Sequence, residues 1–138
     1  MIQDAYEKGA KLIVFPKLMN HAGEATADTF ERIPDGETIR IMSAYAKKFN
    51  MWINIGTIRE ITDESDKPYN TTALISPDGQ IKATYRKLHL ADMQLAKGET
   101  PYLESNIVCA GDKIVVADTD IGKIGLSICY DMRFPERN

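Results

Sequence analysis

Cys129 is the residue of this chain best placed for covalent chemistry. It follows the apolar run Ile124-Gly125-Leu126-Ser127-Ile128 and opens the polar stretch Tyr130-Asp131-Met132-Arg133. A thiol at such a strand-to-turn junction is exposed at a sheet edge, where backbone N–H groups just after it can face a developing oxyanion. The competing reading is a small buried hydrophobe, the commoner fate of a free cysteine. Cys109, within residues 106–111, has no comparable setting and reads as structural. Lys87 is the second candidate, in Tyr85-Arg86-Lys87-Leu88-His89-Leu90. A lysine among apolar neighbours at a strand end can be partly buried and hold a carbonyl oxygen as a cation. A solvated basic strand end is the alternative. His89 could form a thiol–imidazole dyad with Cys129, or simply be hydrogen-bonded. Lys17 is the third, directly after the apolar run Leu12-Ile13-Val14-Phe15 and Pro16. A polar residue there lies at the carboxyl edge of a sheet, where open α/β folds bind ligands; strand termination explains it equally well.

The elements that must position these residues are legible as patterns. Residues 2–8 read as the end of a helix stopped by Gly9, and residues 11–15 as a buried strand ended by Pro16. Residues 17–35 are turn-rich, and residues 38–49 set Ile39, Met42, Tyr45, Ala46 and Phe49 at helical spacing. A strand is expected over 52–58 and an exposed, charged loop over 60–69. Residues 71–76 and 80–85 flank Pro77-Asp78-Gly79 as a hairpin. Residues 86–98 read as loop with helical turns, and residues 114–118 and 123–128 as a strand pair turning at 120–122. The class is α/β with hairpins and mixed strand order. No strand precedes the first helix and no element follows the last strand, so both ends read as cut.

Composition bounds the function. The chain has 138 residues, 43% hydrophobic and 27% charged, with a net charge of −3, ordinary for a globular domain. It lacks the basic footprint of a nucleic-acid binder, and its apolar runs are too short for a bilayer. Two cysteines and two histidines argue against a disulfide framework and against a zinc site. Neither metal nor cofactor is expected. The opening Met1-Ile2-Gln3-Asp4 lacks the apolar stretch of a signal peptide, so a cytoplasmic protein is the expectation.

Taken together, Gly9 to Pro16, Tyr85-Arg86-Lys87-Leu88-His89-Leu90, and Gly125-Leu126-Ser127-Ile128-Cys129-Tyr130-Asp131-Met132-Arg133-Phe134-Pro135-Glu136 resemble the nitrilase superfamily of carbon–nitrogen hydrolases in order and spacing. With Leu103-Glu104-Ser105-Asn106, the chain looks most like the Nit branch, which includes omega-amidases and deaminated-glutathione amidases. The resemblance implies a nitrilase-type α-β-β-α sandwich, truncated at both ends, so that residues 1–138 form a partial carbon–nitrogen hydrolase domain. It implies Cys129 as nucleophile on an amide carbon, with Lys87 and the backbone N–H of Tyr130 holding the oxyanion. Glu104 matches a second glutamate that positions Lys87 and substrate, and Tyr130 and Arg133 stand at substrate-binding positions. The implied ligand is a small-molecule amide, and the complete protein is expected to be a homodimer. One position departs. The family has a general-base glutamate directly after Phe-Pro, and this chain has Lys17. A protonated lysine cannot accept the thiol proton, and it would repel Lys87 in a shared pocket. The uncovered strands of a partial domain are expected to make the isolated chain poorly soluble or dependent on a partner.

Overall fold

The computed structural model describes residues 1–21, 23, 26–94 and 100–137. In chain order the elements are α1 (Ile2–Glu7), β1 (Leu12–Val14), α2 (Glu37–Phe49), β2 (Trp52–Asn54), β3 (Ile58–Thr62), β4 (Ser65–Ile75), β5 (Ile81–Arg86), β6 (Asp92–Met93), β7 (Tyr102–Leu103), β8 (Val116–Thr119) and β9 (Gly122–Gly125).

The long strand β4 organises the main sheet. It pairs antiparallel with β2, β3 and β5, and β1 adds parallel to β2. Side chains of a strand alternate between faces, and two cores follow from that. Ile53, Ile55, Ile58, Ala73 and Ile75 pack with Ile39 and Ala46 of α2. Trp52, Leu74 and Tyr85 face the other way and pack with Ala117, Leu126 and Ile128 around the β8–β9 hairpin. The result is a helix layer, a five-stranded sheet and a second β layer. The α2 pattern is realised as read, with Glu37 in the first turn, Lys47 and Lys48 in the last, and Asn50 closing it at φ 48°. Those charges oppose the helix dipole at each end.

Five expectations change. Residues 60–69 are a hairpin rather than a loop, turning at residues 63–64 between Thr62 and Ser65. Three of their charges are paired: Arg86 bonds the buried Glu60 and the exposed Glu64, and Arg32 bonds the exposed Asp63. The strand read over 52–58 is interrupted. Ile53 pairs with Ile75 and Ile58 with Thr71, a one-residue offset that makes 55–57 a bulge. The strand after Gly9 is not fully buried, for Val14 is 64% exposed at the outer strand β1. The last strand stops at Gly125, and residues 126–128 run on without a ladder partner beyond the bond from Leu126 N–H to Val115 O at 3.0 Å. Of the stretch 86–98 read as loop with helical turns, residues 92–93 form β6 with β7 and no helical turn occurs up to residue 94; residues 95–98 lie outside the described residues.

The bulge places the first site segment. Gly56 has φ 68°, and a Cβ there would lie 2.0 Å from the Pro16 carbonyl oxygen. Only glycine permits that backbone approach. Phe15 N–H then reaches Asn54 O at 3.0 Å, Leu18 N–H reaches Thr57 Oγ1 at 2.8 Å, and Met19 N–H reaches Thr57 O at 3.2 Å. The residues on either side of Lys17 are thereby clamped to the bulge.

Candidate active site

Three chain segments converge on one buried carboxylate, Glu104, in the short 3-10 turn Glu104–Asn106 after β7. Its Oε1 accepts from Lys17 Nζ at 3.0 Å and from Asn70 Nδ2 at 2.8 Å. Its Oε2 accepts from Lys87 Nζ and from the Ala91 N–H at 2.7 Å. Asn70 is held in turn by Arg59 Nη1, donating to its side-chain oxygen. Burial alone would raise the Glu104 pKa. The donors Lys87, Ala91 N–H and Lys17 outweigh it and hold the carboxyl down at about 2.

Lys87 follows β5 and has no solvent exposure. Its backbone is fixed on both sides: the N–H donates to Asn70 O at 2.9 Å, and the carbonyl accepts from Gly111 N–H at 2.8 Å. A buried ammonium needs an ionic partner, and Glu104 supplies it. Lys17 was expected to repel Lys87. Glu104 instead lies between the two, giving one oxygen to each, so both cations share one counter-ion.

Cys129 opens the 3-10 turn Cys129–Arg133, after the segment 126–128 that follows β9. Its φ is 52°, in the left-handed region, and its side chain is exposed. A non-glycine residue there is uncommon, and such strain clusters at functional sites. Cys129 and Lys17 line one cavity of about 260 Å³, with Asn54, Thr57 and Ser127 as its other polar side chains and Leu12, Val14 and Leu126 among its apolar ones. Lys17 is the charged residue among the described lining. Lys87 and Glu104 lie outside that lining, in the buried ion cluster.

The remaining candidates separate. His89 does not form a dyad with Cys129. Its Nδ1 lies 2.8 Å from Asp131 Oδ1, and its ring stacks on Phe134 with centroids 4.0 Å apart. The buried Asp131 captures the imidazole, which realises the hydrogen-bonded alternative. Tyr130 is half-buried and meets Phe134 edge-on at 5.6 Å, while Arg133 is exposed; neither lines the cavity. Cys109 lies on Ser65, Sγ to Oγ 2.9 Å, and its N–H bonds Pro68 O. Asn70, Arg59 and Asp131 went unread in the sequence. An acid two residues past the thiol was a usable signal for Asp131. Asn70 and Arg59 matter only through the β3–β4 register, which the loop reading of 60–69 concealed. Among the described residues no group of three His, Cys, Asp or Glu could hold a metal ion, and no helix is long and apolar enough to cross a membrane.

The sequence profile described as carbon-nitrogen hydrolase matches residues 1–137. The chain belongs to the carbon–nitrogen hydrolase family. An omega-amidase of Xenopus laevis is 36% identical over 138 residues, covering 99% of this chain and 49% of the relative. The solved NitFhit protein of Caenorhabditis elegans superposes with a TM-score of 0.83 at 34% identity, over 99% of this chain and 34% of that one. A solved nitrilase-superfamily protein of Saccharomyces cerevisiae gives 0.78 at 31% identity, over 98% of this chain and 48% of that one. The nitrilase-type fold is therefore established. The chain spans about half the length of the omega-amidase it matches.

Proposed function

We propose that this carbon–nitrogen hydrolase chain carries a thiol amidase site for small carboxylic amides, with Lys17 holding turnover low. Cys129 Sγ attacks the amide carbon; Lys87 and the Tyr130 N–H hold the oxyanion; Glu104 positions Lys87. Ammonia departs to leave a Cys129 thioester, which water hydrolyses to the acid. The observation that carries this reading is Glu104, buried and bonded at once to Lys87 and to the residue after Phe15-Pro16. A general base is needed to take the thiol proton and return it to the leaving amine. Lys17 donates to Glu104 and offers no basic lone pair, and loss of such a base costs ~10²–10⁴-fold in rate. Tyr130 and Arg133 are proposed as substrate contacts in the complete protein, which we read as a cytoplasmic homodimer.

The same ion pair supports a second reading, a chain that binds amides without turning them over. One comparison separates the two. The chain and its Lys17→Glu version, each completed with a C-terminal half, are assayed on dicarboxylate monoamides. Activity at least a hundredfold higher in the glutamate version supports a silenced amidase site. Equal activity in both removes Lys17 from the explanation, and none in either favours the binding reading.

A further inference from the structure

We propose that Asp131 is a positioning residue that sets the nucleophile against the oxyanion lysine; the inference rests on the thiol-amidase reading. Asp131 is completely buried, and its two oxygens serve two segments. Oδ2 accepts from the Ile128 N–H at 2.9 Å, and Asp131 N–H returns a bond to Ile128 O at 3.1 Å. Those two bonds close a tight ring around Cys129 and Tyr130, and they oppose the strain of holding Cys129, a residue with a Cβ, at positive φ. The same carboxylate grips the other segment on both sides of Lys87. Tyr85 OH donates to Oδ2 at 2.6 Å; His89 N–H donates to Oδ1 at 2.8 Å, and His89 Nδ1 lies 2.8 Å from the same oxygen. Tyr85 precedes Lys87 by two residues and His89 follows it by two. One carboxylate thus brackets the lysine and pins the cysteine turn. Phe134, at the end of that turn, stacks on His89 and reinforces the join. Burial, with Asp131 beside it, pushes the Tyr85 phenol well up, so it stays a donor.

Asp131→Asn keeps the shape and removes acceptor capacity. Whichever way the amide turns, its NH2 faces donors that an oxygen now accepts. Two reactions of Cys129 separate positioning from mere integrity. With p-nitrophenyl acetate the thiolate attacks the ester carbon, a C–S bond forms, the C–O bond breaks and p-nitrophenolate leaves. This acylation passes through an oxyanion and needs the lysine in place. Alkylation by iodoacetamide, in which sulfur displaces iodide, passes through none. Both are followed by intact and peptide mass at Cys129, with Cys109 as internal control.

The expected result in Asp131→Asn is acylation of Cys129 slowed at least tenfold with alkylation changed less than about threefold. Tyr85→Phe, which removes one donor, is expected to slow acylation about threefold and guards against misfolding of the first variant. If acylation and alkylation move together in both variants, or neither moves, Asp131 is structural only and the proposal is overturned. Should the parent acylate Cys129 no faster than Cys109, or Lys87→Met leave acylation unchanged, the thiol-amidase reading itself has failed and the inference falls with it.

Discussion

Glu104 concentrates the electrostatics of this site, and its titration is the most direct handle on it. Its pKa is held at about 2 in the folded chain, against 4.5 for an ordinary glutamate. A depressed acid stabilises the fold fully above its unfolded pKa and loses that contribution as pH falls toward the folded value. The difference corresponds to about 3 kcal/mol. Urea unfolding followed from pH 5 to pH 2 should therefore lose about that much stability, and Glu104→Gln should flatten this limb of the profile while lowering stability at neutral pH. A profile unchanged by Glu104→Gln would show that the carboxylate is not held by these donors. Lys17 enters the same account. Replacing it with glutamate removes one donor to Oε1 and sets a second carboxylate beside it. Like charges raise carboxylate pKa values, so Lys17→Glu should move the acid limb to higher pH, measured by the same titration. That outcome would identify Lys17 as a substitute counter-ion, tolerated because Glu104 can be shared. The residue types at Cys129, Lys87 and Glu104 were legible in the sequence because each sits in a contiguous motif. The sharing of Glu104 was not, because it depends on segments 87 and 17 positions apart in the chain, Glu104 from Lys17 and from Lys87 respectively being joined only by folding.

At the scale of elements, the bulge at 55–57 does more than interrupt a strand. It turns the end of the Trp52–Thr62 run so that Phe15 and Pro16 pass against Gly56, which delivers Lys17 to Glu104. Gly56→Ala must adopt φ 68° and place its Cβ 2.0 Å from Pro16 O, with the Phe15 carbonyl oxygen at 2.6 Å. Both partners are backbone, so relief requires the strand end to move. The expected loss is about 2–4 kcal/mol, from strain at positive φ together with displaced core contacts, and it is read from the urea midpoint. A loss below about 0.5 kcal/mol would mean that the Phe15-Pro16 passage is not fixed by this glycine. The helix α2 and the β4–β5 hairpin were legible, since both follow from short-range periodicity and an Asp-Gly turn. The bulge and the β3–β4 hairpin were not. Glu60 lay in a stretch read as exposed loop until the register shows its partner in Arg86, and the same register sets Arg59 against Asn70.

At the scale of the molecule, the two β layers leave apolar residues on the outside. Val14 is 64% exposed on β1, Val116 57% exposed on β8, and Ile114 58% exposed just before it. Val14 lines the cavity beside Ile124, whereas Val116 pairs with Gly125 on the opposite face of the hairpin from the Ala117–Ile124 pair, so the exposed apolar side chains fall on two surfaces. Outer strands with exposed apolar side chains template association. Their layer order also explains why β1 resisted the reading as a buried strand: helix α2 covers one face of the sheet, while Val14 opens onto the cavity between the layers. The 138-residue chain alone should therefore associate with itself. Light scattering after size exclusion is expected to give a mass that rises with concentration, and Val14→Thr with Val116→Thr should lower it without moving the unfolding midpoint by more than about 1 kcal/mol, as outward-facing substitutions usually do. A monodisperse monomer at every concentration would show that the exposed apolar surfaces are too small or too divided to drive contact.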